Sequence, residues 1–520
     1  MRKISLLTVL VLIGGVILSL LPLFQPGLFD VHDPTSAFRL YTLVETIKDG
    51  QFPASWSNEL NFGFGYPLHL YYAPLFTYIG SFFKIFISSY EIVIKLLLVI
   101  ISLTGAFGVY RLMSKYGRYP AFIASSAFIF LPYRASALYV RGSYSEFLAM
   151  SLIPWLIYYW LKPQRGKRTI IITAVFTALF VLSHNTLHLL ILPIIILIIA
   201  LYQRQNILGS LVSIVISIGL SAWFIAPVFF ERNLIKVETL ARITNFEDHF
   251  ITLSQLWYSP WGYGGSSPGL TDLMSFMIGK GQVVLGILGF VYLLWNRSWK
   301  NVIILGSITL IPIYLSLTNS SLLWQAIPFL SLMQFPWRSL SLLGVGISTL
   351  AGFSLLLTPS KLHFPLSIII IVLLISTNIG YFKPQEYRTY NQEILANPNN
   401  LDSLARDKFP EYLPSTMPSF PDSRIEDKLE RTATRVFGTL TLTESKPLTL
   451  STAYMPHWRL AVEGQPAEIT PTPEGLVTTV DSFEPGVYEI ELSWHRTLIE
   501  QIANIISALS LLVVIGLLLV

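Results

Sequence analysis

Apolar runs recur along almost the whole chain, separated by short polar links. A hydrocarbon core of about 30 Å takes roughly 17–25 apolar residues per helix, fewer where flanking side chains snorkel. On that measure the pattern predicts about twelve transmembrane helices, at 4–24, 91–110, 119–136, 147–161, 169–186, 187–202, 207–229, 281–295, 301–318, 339–357, 365–380 and 500–520. The segment 73–88 is also apolar, but counting it as a span would invert everything after it. It is read as a helix lying in the interface, with Lys84 and the tyrosines at its edges.

Four outer stretches are long enough to hold structure: 25–90, 134–146, 230–280 and 381–498. The last begins with a Pro- and charge-rich part, 381–430, that reads as irregular. From about 431 the period changes to strict alternation, in Arg435–Leu442, Leu448–Tyr454, Trp458–Val462, Leu476–Val480 and Val487–Leu492. Turns such as Glu463-Gly464 and Glu484-Pro485-Gly486 separate these runs, the pattern of a small antiparallel β-sandwich. The expected fold class is a polytopic α-helical membrane protein with a small C-terminal extracytoplasmic β-sandwich. Its parts are a transmembrane domain, 1–380, an extracytoplasmic domain, 381–498, and a C-terminal transmembrane helix, 499–520.

Charge orients this pattern. The links between alternate spans hold Arg2 and Lys3; Arg111, Lys115 and Arg118; Lys162, Arg165, Lys167 and Arg168; Arg204; Arg297 and Lys300; and Lys361, with no Asp or Glu. Basic short loops stay cytoplasmic during insertion, so all 30 acidic residues are expected on the outer face. Both termini are then cytoplasmic, and any carboxylate chemistry is extracytoplasmic. The first apolar run lacks a small-x-small cleavage site and is read as an uncleaved span.

Composition narrows the classes. At 53% hydrophobic and 12% charged, the chain is too apolar for a soluble protein of this length. The net charge of +5 reports membrane orientation rather than nucleic-acid binding. With no cysteine, thiolate metal sites and cysteine nucleophiles are excluded. The chain shows no P-loop, no strand-borne GxGxxG and no nucleophile elbow.

The densest candidate chemistry lies just after the first span, in Phe29-Asp30-Val31-His32-Asp33-Pro34 and then Arg39. Two carboxylates three residues apart, with a histidine between, suit a general base or a pair of divalent-metal ligands. They are equally what a solvated loop offers. The second stretch brings Arg134, Arg141, Tyr144 and Glu146. Arginine can hold a phosphate through two parallel hydrogen bonds, while Glu146 is either a site acid or the salt-bridge partner of Arg141 or Arg134. His184 and Asn185, with His188, close the fifth span as candidate site-lining residues. Arg338 is a phosphate clamp or an interface anchor. The run Trp257–Gly265 offers faces for a sugar ring or an interfacial aromatic lid.

The stretch His32-Asp33, Arg39, Gly50, Trp56, Gly63-Phe64-Gly65-Tyr66-Pro67 and Tyr71-Tyr72-Ala73-Pro74-Leu75 resembles the opening of the bacterial membrane family labelled 6-pyruvoyl-tetrahydropterin synthase-related. Pro132-Tyr133-Arg134, Leu138 to Glu146, Leu182-Ser183-His184-Asn185, Pro260-Trp261-Gly262-Tyr263-Gly264 and Gln334-Phe335-Pro336-Trp337-Arg338 extend the resemblance. Tyr454-Met455-Pro456-His457-Trp458-Arg459 resembles the C-terminal sandwich of YfhO-like membrane proteins. The family label is historical and implies no pterin chemistry.

This architecture is similar to the type C (GT-C) glycosyltransferases, which take sugars from polyprenyl-phosphate carriers. The resemblance implies an inverting transferase in a bacterial inner membrane, acting on a glycan, lipid or protein acceptor. It makes Asp33 the expected catalytic carboxylate, beside Asp30 and His32, with Glu146 as a second acid. No cofactor is required by the motifs; where a divalent cation (Mg or Mn) is used, Asp33 and Glu146 are its expected ligands. The second histidine that family members often carry is replaced here by Ser36-Ala37, which weakens a histidine-based metal site. The alternative is a non-catalytic transporter or flippase for lipid-linked precursors, but such proteins usually place polar groups at mid-membrane.

Overall fold

A computed structural model describes residues 5–163, 166–202, 207–237, 245–269 and 271–519. Arg2, Lys3, Arg165 and Arg204 of the basic links, and 238–244 of the third outer stretch, lie outside them.

Each apolar segment contains a helix, because in lipid every backbone N–H and C=O must be satisfied within the segment. Among the described residues, six helices are long and apolar enough to cross a membrane: Tyr90–Tyr116, Ile207–Phe230, Trp299–Ser316, Pro336–Leu357, Ser360–Tyr381 and Leu498–Leu519. The pair Arg118–Ile129 and Pro132–Arg141, bent by 43°, makes up to seven if it is one span. Leu6–Ser19, Leu187–Leu197 and Lys280–Trp295 are apolar but shorter.

Helix Leu340–Ser354 is the hub, with every residue buried. Its neighbour Lys280–Trp295 comes so close that a Cβ on Gly289 would lie 1.8 Å from the Leu350 carbonyl oxygen. Small residues permit such backbone contact, the usual means of helix association in lipid. At the periphery, Leu498–Leu519 buries only Glu500, Ala503 and Val514. Its remaining apolar side chains face outward, as expected of a helix against lipid.

The outer stretches are more ordered than the sequence pattern predicts. Within 25–90, helix Thr35–Lys48 is almost wholly buried, and the short amphipathic helix Leu75–Lys84 buries Phe76, Thr77 and Gly80. The expected loop 134–146 is helical: Pro132 opens a turn that widens into a π-helix over Ser136–Arg141 and stops at Gly142. Proline cannot continue the preceding ladder, so the chain passes through the extended Leu131 and bends before helix resumes.

The expected irregular part 381–430 instead contains helices Gln392–Ala396 and Pro398–Lys408. Leu401, Leu404 and Ala405 share the buried face of the second. Strand Tyr387–Arg388 pairs with Leu28–Phe29, and the Tyr66 hydroxyl donates to the Phe409 carbonyl at 2.6 Å. Residues 385–412 are therefore packed on the first outer stretch. Beyond them lie two antiparallel sheets. One has five strands, ordered Glu430–Arg431, Arg435–Leu442, Gly486–Trp494, Trp458–Val462 and Gln465–Ala467; the other has three, Lys446–Ala453, Leu476–Phe483 and Ile469–Pro471.

Candidate active site

The turn Asp30–Asp33 is held by backbone pairing rather than by its side chains. The His32 amide donates to the Val140 carbonyl and the Asp33 amide to the Arg141 carbonyl, each at 2.9 Å. Gly142 makes this approach possible: its φ is +67°, and a Cβ there would meet Val31 at 2.3 Å. From the other side, Lys408 Nζ donates to the His32 carbonyl at 2.9 Å. Three segments far apart in sequence are thus stitched around one acidic turn.

They enclose a cavity of about 450 Å³. Of the residues singled out from sequence, His32, Asp33, Arg39, Arg141, His184, Asn185 and Arg338 line it. Tyr72, His249, Trp337, Lys408, Glu411 and Tyr412 line it too; Tyr72 and Trp337 stand in the motifs that carry the family resemblance, but none of the six is a site candidate from sequence. Asp33 Oδ1 is buried without a hydrogen-bond partner. Arg141 lies over the Trp337 ring, 4.4 Å from its centroid, and its Nη1 is likewise unpartnered. Arg338 Nη1 donates to the Met333 carbonyl at 2.7 Å, and Arg39 stacks on Tyr72 at 3.9 Å.

Glu146 sits beneath the cavity, fully buried. Its carboxylate meets Arg141 Nη2 at 2.7 Å and Arg338 Nε at 3.9 Å, and accepts from the hydroxyls of Tyr133 at 2.9 Å and Ser341 at 3.0 Å. Glu146 is therefore the salt-bridge partner, and it orients two arginines. Both hydroxyls bond Oε1 and two guanidinium groups face Oε2, so a further cation would be repelled there and Glu146 does not fit as a metal ligand opposite Asp33.

The other residues singled out from sequence lie elsewhere. Asp30 pairs at the rim with Arg388 at 3.4 Å. Arg134 is buried between the rings of Phe128 and Phe147 and donates to the carbonyls of Phe128 and Ile129. It stabilises the bend at Pro132 and does not face the cavity. Tyr144 is buried, sharing with Asp33 only a water-sized pocket of about 10 Å³.

His184 Nδ1 accepts from the amides of Thr186 and Leu187 at 3.2 and 3.3 Å, which caps the next helix. Asn185 accepts from the Ala73 amide at 2.5 Å and donates to the Tyr412 hydroxyl at 2.9 Å. The aromatic run divides: Trp257 and Tyr258 are exposed, while Gly265 and Ser266 reach the cavity wall.

Electrostatics favour an anionic guest. Arg39, Arg141, Arg338 and Lys408 line the cavity against Asp33, Asp407 and Glu411. Burial, reinforced by the charge of Asp33, pushes the Glu411 carboxyl up to about 7, so its negative charge is only partly present near neutrality. Burial, with Lys408 nearby, holds the His32 imidazolium below its usual range. His32 is therefore mainly neutral at pH 7 and able to accept a proton.

Comparison with solved structures finds a similar fold. The fold is similar to the arabinofuranosyltransferase AftD from Mycobacteria, with TM-score 0.50 and 13% identity, over 74% of this chain and 27% of that one. ArnT from Cupriavidus metallidurans bound to undecaprenyl phosphate gives TM-score 0.41 and 12% identity, over 71% of this chain and 63% of that one. Archaeal oligosaccharyltransferase AglB from Archaeoglobus fulgidus, in complex with an inhibitory peptide and a dolichol-phosphate, gives 0.43 and 13%, over 80% and 60%. The chain thus spans less than two thirds of the length of each. At 13% identity the likeness to AftD concerns the fold alone, that of a helical membrane protein. Comparison with curated protein sequences finds no match. Residues 69–384, more than half of the 520, match the model of the 6-pyruvoyl-tetrahydropterin synthase related domain, a membrane-protein family, and the chain belongs to that family.

Proposed function

We propose that this chain is a membrane glycosyltransferase that moves a sugar from a polyprenyl-phosphate carrier to an extracytoplasmic hydroxyl. The observation that supports it most is the shared cavity wall: an unpartnered buried carboxylate oxygen on Asp33, with Arg141 and Arg338 on the same wall. Arg141, aimed by Glu146, and Arg338 hold the donor phosphate. Asp33 takes the proton of the acceptor hydroxyl as that oxygen attacks the anomeric carbon. The sugar–phosphate C–O bond breaks with inversion, and the carrier phosphate leaves as an anion held by the arginines. It needs no proton to leave. Similarity to AftD supports the fold on which this reading stands, the cavity chemistry supports a phosphate-bearing donor and a base, and the transfer of a sugar comes from the family resemblance.

The same reading takes all twelve helical segments as spans or half-spans and the two sheets as one sandwich. It divides the chain into a transmembrane domain to residue 380, an extracytoplasmic domain over 381–498 and a final membrane helix. It also puts both termini on the cytoplasmic side of a bacterial inner membrane. The test is incubation of purified protein in nanodiscs with a panel of polyprenyl-phosphate sugars and short glycan, lipid and peptide acceptors, with mass spectrometry for freed carrier phosphate and glycosylated product. Well-folded protein that binds donors but transfers none of the panel would sink the enzyme reading in favour of carrier transport.

A further inference from the structure

We infer that Glu231, His457 and Glu500 form a buried site for a divalent metal ion, Zn²⁺ by the chemistry of the donors, outside the cavity described above. The three come from distant parts of the chain. Glu231 directly follows helix Ile207–Phe230, His457 precedes strand Trp458–Val462, and Glu500 lies in the first turn of Leu498–Leu519. One ligand atom from each lies within 4.8 Å of the others, and the residues are 6%, 1% and 3% exposed. None lines the cavity, and the inference does not depend on the glycosyltransferase reading.

A second observation points to a missing occupant. Glu231 Oε2 is buried without a hydrogen-bond partner. A carboxylate oxygen stranded in this way is unfavourable unless an occupant satisfies it. Among the described residues, neither glutamate forms an ion pair with Lys or Arg. The neighbouring Arg496 donates instead to the Pro53 carbonyl. The Thr497 hydroxyl bonds Glu231, and His457 Nε2 bonds Glu500 Oε1.

With both carboxylates ionised, one imidazole cannot balance the charge of this buried cluster. A divalent ion removes that imbalance with the imidazole neutral. On binding, the proton of the imidazole–carboxylate bond is released to solvent. One imidazole with two carboxylates suits Zn²⁺, which commonly takes three protein ligands and a water.

The expected role is a clasp. The ion would join the C-terminal helix, the strand-rich domain and helix Ile207–Phe230. The Tyr71 hydroxyl, bonded to the Glu231 carbonyl at 3.0 Å, would extend the brace to the segment behind the cavity. Trp494 stacks on His457 at 4.3 Å and fixes the ring plane.

The experiment is elemental analysis of tag-free protein purified without chelator, with and without ZnCl₂ loading, followed by melting curves. We expect about one zinc per chain, as for a single three-ligand site. A strong chelator should lower the melting temperature and ZnCl₂ restore it. Glu231→Gln should lose the metal and the chelator response, whereas Asp33→Asn should keep both. Wild-type protein that takes up no zinc and melts identically with chelator or ZnCl₂ overturns the inference, as does undiminished zinc in Glu231→Gln. If that variant does not fold, Glu231→Asp and the wild-type measurements decide between the same two outcomes.

Discussion

The backbone amide of Asp33 donates to the carbonyl oxygen of Arg141 at 2.9 Å, although 108 positions separate the two in the chain. One hydrogen bond thus sets the proposed base beside the proposed phosphate clamp, independently of either side chain. Among the described residues, the Asp33 side chain forms no ion pair and leaves Oδ1 unpartnered, so its substitution should disturb chemistry more than architecture.

Asp33→Asn tests this directly. The amide keeps the shape but has neither the charge nor the basicity of the carboxylate. Transfer should fall by about 10²–10⁴, the usual contribution of a general base, with the melting temperature close to wild type. Retention of more than about a tenth of the activity would be too much for that role. Asp422→Asn, on an exposed position, serves as the control.

Glu146→Gln should behave differently. It leaves Arg141 buried without its charge partner, and breaking a buried pair costs about 3–5 kcal/mol. A clear loss of thermal stability should accompany weaker donor binding, because Arg141 is no longer aimed. Full stability in this variant would show that the pair is not the support described above.

Arg134 and Arg141 should separate in kinetics. Arg134 serves only the bend at Pro132, so Arg134→Met should lower stability while folded enzyme keeps its KM for the donor. Arg141→Met should raise that KM. A matching rise in Arg134→Met would return Arg134 to the binding site.

The Glu411 carboxyl, pushed up to about 7 by burial, gives donor binding a pH dependence. Below that value it is neutral, and the cavity repels a phosphate less. Donor affinity should therefore improve as pH falls from 8 towards 6, by a few-fold at most. For stability the sign is the same. Its folded pKa lies above the usual 4.5, so stability is lost as pH rises from about 4.5 to about 7 and is level above. Glu411→Gln should flatten the affinity profile; an unchanged slope would assign the dependence to another group.

Topology is open to labelling. A cysteine replacing the exposed Ser445 should react with an impermeant reagent in intact cells, and one at the exposed Gly166 should not. Reaction at Gly166 would overturn the orientation on which an extracytoplasmic site depends.

The apolar runs and the alternation after 431 were enough to locate the apolar helices and the five longest strands, since local periodicity records burial directly. Seven of the residues read as site candidates do meet in one cavity, because short motifs at helix ends carry position as well as chemistry. What stayed hidden depends on contacts between distant segments. Residues 392–408 look polar and broken by proline, yet Leu401 and Leu404 bury against the first outer stretch and carry Lys408 and Glu411 to the cavity. Arg134 and Arg141 are alike as sequence. Only packing shows that one stacks between two phenylalanines while the other reaches the cavity over Trp337. Periodicity states which face of an element is buried; it cannot state what that face is buried against, and there the roles of these residues were decided.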